Sequence, residues 1–300
     1  MSIWAKTILV TGASRGLGLE FVRQLLELPT PPEVLIAACR DPEKAENLQR
    51  LAKSNSAVKI VKLDVEKDDE IEKTVEVVSN YVGERGLNLL INNAGILYKQ
   101  LPGNIADVTR EIMQKHFSVN VVSNYVGERG LNLLINNAGI LYKQLPGNVA
   151  DVTREIMQKH FSVNVTSQVM MSQNCLPLLL KASSLSGSNE LSTSKAAVIM
   201  ISAIRGSQTL INAEGPLGFM HYKCSKTALD MATVLLAREL RDVDILVTAL
   251  HPGWVKTDMG SSEAPLGIEE SIRDCLQTIG RAGEESNGKL IDLKGNILPY

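Results

Sequence analysis

The sequence predicts an α/β fold: a doubly wound, Rossmann-like parallel sheet with helices on both faces, in a single domain that covers residues 1–300. Three observations predict it. Short apolar runs typical of strands alternate with helix-length amphipathic stretches along the whole chain. The strands are hydrophobic throughout, as strands covered on both faces are, and no linker rich in Pro, Gly or Ser divides the chain.

The order of the elements is read from these two patterns. Runs with strand character are TILVTG, VLIAACR, VKIVKLDV, LNLLINNAG, AAVIMISA, DILVTALHPG and GKLIDL, and helical patterns cover residues 18–28, 42–54, 68–82, 149–182 and 222–241.

An internal duplication interrupts this regular order. Residues 77–120 and 121–164 are the same 44-residue segment in tandem, differing only at Ile105 and Val149. Repeat architectures need about three or more units, so this pattern indicates one doubled segment of a single domain. Removing one 44-residue copy from the 300 residues leaves 256, an ordinary size for one α/β domain. The sequence therefore predicts one extra β-α segment.

Composition excludes several classes of function. A net charge of −2 and a pI of about 6.1 leave no basic stripe for a nucleic acid. The apolar runs are far shorter than the roughly 20 residues that cross a bilayer, and the first residues do not have the pattern of a signal peptide. The histidines have no metal-ligand spacing. The cysteines lie far apart, which favours reduced thiols and a cytoplasmic protein; they are Cys39, Cys175, Cys224 and Cys275.

The first strand runs into a glycine-rich turn that opens a helix. Glycines keep such a turn tight and let backbone N–H groups approach a pyrophosphate at the positive end of the helix. A plain strand-to-helix turn is the alternative, but its place after the first strand favours a dinucleotide site. The residues predicted to contact the cofactor here are Gly12, Ser14, Arg15, Gly16, Leu17 and Gly18.

The end of the second strand indicates which dinucleotide is bound. An acidic residue there would bind a ribose 2′-hydroxyl, whereas an arginine suits a 2′-phosphate. Here the strand ends in Arg40, which precedes the acidic Asp41, and Arg15 lies in the glycine-rich turn. Either arginine alone is compatible with a surface charge, but two guanidiniums that bind one phosphate favour NADP(H) over NAD(H).

Tyr222 and Lys226 stand four residues apart on one face of a predicted helix. An ammonium beside a phenol favours the phenolate, so the tyrosine pKa is expected to fall from its usual value towards the range of a general acid or base. This spacing of tyrosine and lysine is common by chance. It indicates a catalytic site only in combination with the glycine-rich turn.

Together these residues resemble the short-chain dehydrogenase/reductase family over essentially the whole chain. The motifs that carry the resemblance are TGASRGLG, NNAG, the Tyr222–Lys226 pair and the segment from Pro252 to Thr257. Within the family the chain is most similar to the carbonyl reductase group of sniffer and C-factor-like proteins, through CRDPEKA at 39–45, SKAAVIMIS at 194–202, PGWVKTDMG at 252–260 and the terminal NILPY.

The resemblance implies NADPH-linked reduction of a small apolar carbonyl compound, with Tyr222 as the proton donor and Lys226 holding the nicotinamide ribose. Asn164, or its twin Asn120, would anchor a proton-relay water, residues 261–270 would form a mobile lid, and two copies would pair as a homodimer. Further cofactor contacts implied by the family are Asp64, Asn136, Ala138, Gly139, Pro252, Gly253, Val255 and Thr257.

The chain departs from the family pattern at the catalytic serine. Three residues before Gly206 the family expects serine, and this chain has Ala203. Ser202 is adjacent but should point to the other face of the strand unless a bulge rotates it, and Ser207 is a weaker substitute. Losing one oxyanion donor costs ~3–4 kcal/mol, so we expect a slow enzyme, one that recruits Ser202, or lost catalysis.

The duplication is the second departure. A strand inserted into the sheet would move the Tyr222 half of the site by ~4.8 Å, while hydride transfer needs reacting atoms roughly 3–3.5 Å apart. An active protein is therefore expected to exclude one copy from the sheet, and we favour the second copy as the one retained. Residues 108–126 are expected to form one helix across the junction. Two functions stay open: a carbonyl reductase, and a catalytically silent relative that binds a nucleotide or a partner.

Overall fold

A nine-stranded sheet with helices on both faces forms the core of the protein in the computed structural model, which describes residues 5–65, 67–94, 130–142, 149–211 and 218–300. The strand order is β3-β2-β1-β4-β5-β6-β7-β8-β9, and all neighbours are parallel except the last pair. The predicted fold class is confirmed.

The strands and helices alternate along the described part of the chain. The strands are β1 Thr7–Thr11, β2 Val34–Cys39, β3 Val58–Lys62, β4 Leu89–Asn92, β5 Leu133–Asn136, β6 Ala197–Ile201, β7 Leu246–His251, β8 Leu290–Asp292 and β9 Ile297–Leu298. The helices are α1 Gly16–Leu26, α2 Glu46–Ser54, α3 Asp68–Val82, α4 Arg154–Phe161, α5 Ser167–Leu185, α6 Gln208–Ile211, α7 Met220–Glu239 and α8 Ile268–Ile279.

Two apolar layers hold the helices against the sheet. Successive side chains of a strand point to opposite faces, so each strand supplies both layers. One layer packs the sheet against α1, α2 and α8, and Ile91 and Ile135 belong to it. The other packs it against α3, α5 and α7, and contains Leu90 and Leu134. The buried strands therefore read as continuous apolar runs because both of their faces are covered.

Both copies of the duplicated strand lie in the sheet. β4 pairs with β1 on one side and with β5 on the other, and β5 continues to β6. The pairing between the copies joins identical positions, from Leu89 with Leu133 to Asn92 with Asn136. The expectation that one copy is excluded is wrong. The physical reason is that exclusion would expose a fully buried strand, whereas inclusion satisfies its backbone groups.

Asparagine side chains link the two copies at both ends of the paired strands. Asn88 Nδ2 donates to Asn132 Oδ1 at 3.3 Å, and Asn137 Nδ2 donates to Asn93 Oδ1 at 2.7 Å. Parallel pairing in register stacks identical side chains, and stacked amides bond to one another, as in other ladders of this kind. The duplication thus supplies its own polar contacts between the copies.

Other differences from the predicted elements are local. Helix α8 begins at Ile268, inside the segment predicted as a lid, and the antiparallel strand β9 and the short helix α6 were not predicted. Residues 162–166 form a π-helical turn between α4 and α5, where one long helix was predicted. The predicted helix over 108–126 lies outside the described residues.

Within the described ranges, none of the helices combines the length and apolar character needed to cross a membrane. All four cysteines are free thiols, and only Cys224 is exposed.

We expect Leu90→Ala and Leu134→Ala each to lower the free energy of unfolding by about 2–5 kcal/mol, because each removes a fully buried side chain from the same apolar layer. Urea unfolding measures this, with the exposed Leu185→Ala as a control that should change little. A large loss for one leucine and none for the other would mean that one copy lies outside the sheet.

Candidate active site

A continuous cleft of about 1800 Å³ runs along the carboxyl edge of the sheet. Ligand pockets usually occupy about 300–1000 Å³, so this cleft is wide. The glycine-rich turn after β1 lies at one end, and Tyr222 and Lys226 lie at the other. Loops after both duplicated strands contribute to the floor between them, through Asn93, Ala94, Asn137 and Gly139.

The glycine-rich turn has a backbone that only glycine adopts easily. Gly12 and Gly16 have φ values of 65° and 56°, which lie in the left-handed region. At Gly18 a Cβ atom would come within 2.3 Å of the Gly12 carbonyl oxygen, so a side chain there would clash with the turn. Helix α1 starts at Gly16 without an acidic residue in its first turn, which leaves its N-terminus suited to an anion.

The first copy of the duplicated loop holds this turn in place. Asn93 Nδ2 donates to the Thr11 and Gly12 carbonyl oxygens at 2.9 and 3.2 Å. The backbone N–H groups of Asn93 and Ala94 donate to Thr11 Oγ1 at 3.0 and 2.9 Å. Four hydrogen bonds therefore connect copy one to the end of β1. The equivalent Asn137 of copy two bonds Asn93 instead.

The second copy supports the other end of the cleft. Asn164 lies in the π-helical turn and is fully buried. Its Oδ1 accepts from the Ile140 N–H at 2.8 Å, and its Nδ2 donates to the Ile140 carbonyl at 3.1 Å and to Ser225 Oγ at 3.0 Å. These bonds tie the loop after β5 to helix α7, one residue away from Lys226. π-Helical turns are frequent at functional sites.

Burial controls the charges of the Tyr222–Lys226 pair. Lys226 Nζ donates to the Ile201 carbonyl at 2.7 Å and lies 5.8 Å from the centroid of the Tyr222 ring. Burial lowers the pKa of Lys226 to about 8. It also raises the pKa of Tyr222 to about 12, although Arg205 acts to lower it. The expectation of a lowered tyrosine pKa is wrong, because burial, with a further contribution from Asp230, outweighs the effect of Arg205.

Two serines, Ser202 and Ser207, lie near the position of the missing catalytic serine. Ala203 and Ser202 both line the cleft. Ser202 directly follows β6, and its Oγ is buried without a hydrogen-bond partner. Ser207 Oγ donates to the Pro299 carbonyl at 2.6 Å, which removes it from the cleft. That the Ser202 side chain points away from the substrate stays a prediction.

Two arginines and the segment after β7 surround the mouth of the cleft. Arg15 forms an exposed ion pair with Asp258 at 3.1 Å, and this pair connects the glycine-rich turn to the loop after β7. Arg40 is exposed at the end of β2. The cleft is also lined by residues predicted to contact the cofactor, namely Ser14, Leu17, Pro252, Gly253, Val255 and Thr257.

Four predicted site residues do not line the cleft. Asn136 is fully buried and donates to the Gln168 carbonyl and to Ser172 Oγ. Ala138 and Asp64 lie beside lining residues, and Asn164 contacts the site through Ile140 and Ser225.

Sequence reasoning missed two groups at this site. His251 lines the cleft, and burial lowers its pKa to about 4. Its place at the end of β7, directly before Pro252, is the signal that points to it. Asp230 stands four residues beyond Lys226 on the same face of α7 and is buried.

Comparison with known proteins assigns the family. The sequence profile of the short chain dehydrogenases matches residues 6–131 and again 126–265. The chain belongs to the short-chain dehydrogenase family. Each match contains one copy of the duplicated strand, and the two overlap within the second copy. The predicted membership of the short-chain dehydrogenase family is therefore confirmed.

Solved short-chain dehydrogenases and reductases share the fold along the full chain. Carbonyl reductase Sniffer of D. melanogaster is 33% identical, with 99% of this chain and 100% of that one covered and a TM-score of 0.71. The NADPH-bound carbonyl reductase from chicken fatty liver is 31% identical, with 100% and 96% covered and a TM-score of 0.72. C-signal of Myxococcus xanthus is 37% identical over 89 residues, which cover 30% of this chain and 52% of C-signal.

We expect Asn93→Ala to lower the free energy of unfolding by about 1–3 kcal/mol, since two buried carbonyl groups lose a donor, and Asn137→Ala to cost about 1 kcal/mol or less. Urea unfolding of both variants provides a matched comparison of equivalent positions. Equal losses would contradict the assignment of the turn-holding role to copy one.

Proposed function

We propose that this chain is an NADP(H)-dependent reductase of a small apolar carbonyl compound, with Tyr222 as the proton donor. The observation that carries the proposal is the continuity of the cleft, which includes the glycine-rich turn with Arg15 and Arg40 as well as Tyr222 and Lys226. NADPH, when bound, supplies the hydride. The carbonyl reductases that this chain resembles over their full length support the proposed reaction class.

The residues at the phosphate end fit the cofactor. The space around Gly16 is open, with nothing within 4 Å of the position that a Cβ atom would take, so backbone N–H groups at the start of α1 are accessible to a pyrophosphate. Arg15 and Arg40 would hold the 2′-phosphate, with Arg15 exchanging its exposed ion pair to Asp258 for the phosphate. An exposed ion pair contributes little, so this exchange has a small cost.

At the catalytic end, Tyr222 would give its proton to the carbonyl oxygen. A pKa raised to about 12 keeps the phenol protonated at neutral pH, as a proton donor requires. The ammonium of Lys226 would stabilise the phenolate that remains, and Asn164 would fix the loop after β5 beside it. Pro252, Gly253, Val255 and Thr257 would hold the carboxamide side of the site, and residues 261–270 would cover it.

The second candidate function is nucleotide binding without turnover, and two observations favour it. β4 lies between β1 and β5, so the network of Gly139, Asn164 and Lys226 is one strand, about 4.8 Å, farther from the glycine-rich turn than a single copy would put it. Ala203 also lacks the hydroxyl that would stabilise the oxyanion.

Calorimetric titration with NADPH and NADH, followed by NADPH oxidation with quinones, aldehydes and diketones, tests the proposal. We expect tighter binding of NADPH and a slow but measurable turnover. The matched control is the 256-residue chain without residues 77–120, in which Glu76 precedes Val121; deletion of 121–164 gives the same sequence with Ile in place of Val149.

The outcomes separate the two functions. If both chains bind NADPH but only the 256-residue chain turns over, the 300-residue protein is the silent relative. The loss of its activity is then due to the inserted strand. Absence of binding to either coenzyme by the folded 300-residue protein would overturn both.

Ala203→Ser is expected to raise kcat by up to about a hundred- to thousandfold, because it restores one oxyanion donor. Steady-state NADPH oxidation measures the gain, and Ser202→Ala in the unaltered chain is the control. If Ser202→Ala abolishes turnover and Ala203→Ser adds nothing, then Ser202 has already taken over the donor role.

A further inference from the structure

A buried carboxyl group lies behind the Tyr222–Lys226 pair. Asp230 is 2% exposed, and neither of its oxygens has a hydrogen-bond partner. Tyr222, Lys226 and Asp230 are four residues apart along α7, so all three lie on one face of the helix. An unpaired carboxylate in the protein interior is costly, so its presence needs a compensating charge or proton.

The surrounding residues leave room for this carboxyl group. A Cβ atom at Gly206 would lie 2.5 Å from Asp230 Oδ2, so glycine at this position in the loop after β6 makes space for it. The Ser202 hydroxyl comes from the same loop and acts to lower the pKa of Asp230. The backbone around β6 is thus shaped to accept an acid at position 230.

Lys226, one helical turn before Asp230, is the cation whose charge acts on this carboxyl group. Its Nζ bonds the Ile201 carbonyl, and no ion pair within contact distance joins it to Asp230 in the described residues. The two groups still act on each other: Asp230 raises the pKa of Lys226 against burial, and Lys226 lowers the pKa of Asp230. Burial dominates both, so the Asp230 pKa is raised to about 7 and the Lys226 pKa is lowered to about 8.

The other titratable groups around the pair act mainly on its neighbours. Asp230 also contributes to raising the pKa values of Tyr222 and of Tyr300, which comes from the C-terminal segment. Arg205 lowers the pKa of Tyr222, and the charge of Lys226 lowers the pKa of His251. Among these groups, Lys226 is therefore the cation whose pKa Asp230 raises.

We propose that Asp230 is a positioning residue whose buried carboxylate keeps the Lys226 ammonium charged beside Tyr222. This inference rests on the proposed role of Tyr222 and Lys226 in proton transfer. An ammonium that is almost fully buried at the edge of the cleft loses most of its hydration. A carboxylate one helical turn away, charged above its pKa of about 7, returns part of that stabilisation. Tyr222 then has a cation next to it when its proton leaves.

The test is a titration of Lys226 in the complete protein by NMR of ¹³C-labelled lysine, with the signal assigned through its absence in Lys226→Met. In Asp230→Asn we expect the Lys226 midpoint to move about one unit lower, the smaller end of the effect of a nearby charge. Asp242→Asn, on an exposed turn, is the matched control and should leave the midpoint unchanged.

The proposal also predicts a distinct pH dependence of kcat/KM for Asp230→Asn. With the Lys226 pKa moved from about 8 to about 7, the charged fraction at pH 8 falls about fivefold, and at pH 6 it changes by about a tenth. kcat/KM of Asp230→Asn should follow this pattern, whereas a merely structural defect would lower the rate equally at all pH values.

A reciprocal measurement covers the case in which Asp230→Asn does not fold. Coupling of two sites is mutual, so Lys226→Met should raise the Asp230 midpoint, followed by ¹³C-carboxyl NMR, by a similar amount. An unchanged Lys226 midpoint in folded Asp230→Asn, or an unchanged Asp230 midpoint in Lys226→Met, would overturn the proposal. The NMR readout needs no turnover, so an inactive wild-type protein would refute the proposed function alone.

Discussion

The structure depends on the ability of one parallel strand to pair with a copy of itself. Residues 89–92 and 133–136 are the same four residues, and the register joins each to its own equivalent. Parallel ladders satisfy the backbone groups of both strands without any change of side-chain direction, so each copy buries the same residues in the same two layers. The sheet accepts the duplication because an inserted strand of this kind disturbs neither layer.

The same pairing divides the site between the copies. Copy one keeps the neighbours that lie towards β1, and its Asn93 holds the glycine-rich turn. Copy two keeps the neighbours that lie towards β6, and the loop after β5 bonds Asn164 next to Lys226. The inserted strand separates the strand beside the glycine-rich turn from the strand beside Asn164, which fits a wide cleft.

The sequence predicts the fold and most of the cleft because both follow from local signals. The apolar strand runs identify the sheet, and the positions of Gly12, Arg15, Tyr222 and Pro252 after strands or on a helix face identify its carboxyl edge. The placement of the copies was predicted wrongly, since periodicity carries no information on whether identical strands pair. The direction of the Tyr222 pKa shift was also wrong, because motif spacing shows the nearby lysine but not the burial around it.

The division of contacts between the copies has an evolutionary consequence. In a single-copy chain one loop must satisfy the glycine-rich turn and the catalytic helix together. Here Asn93 makes the bonds to Thr11 and Gly12, Asn137 bonds Asn93 instead, and the loop after β5 is tied to α7 through Asn164. Equivalent positions of the two copies, such as Asn93 and Asn137, are therefore expected to tolerate substitution differently. If the gene continues to evolve, the copies would diverge first at positions whose contacts they do not share.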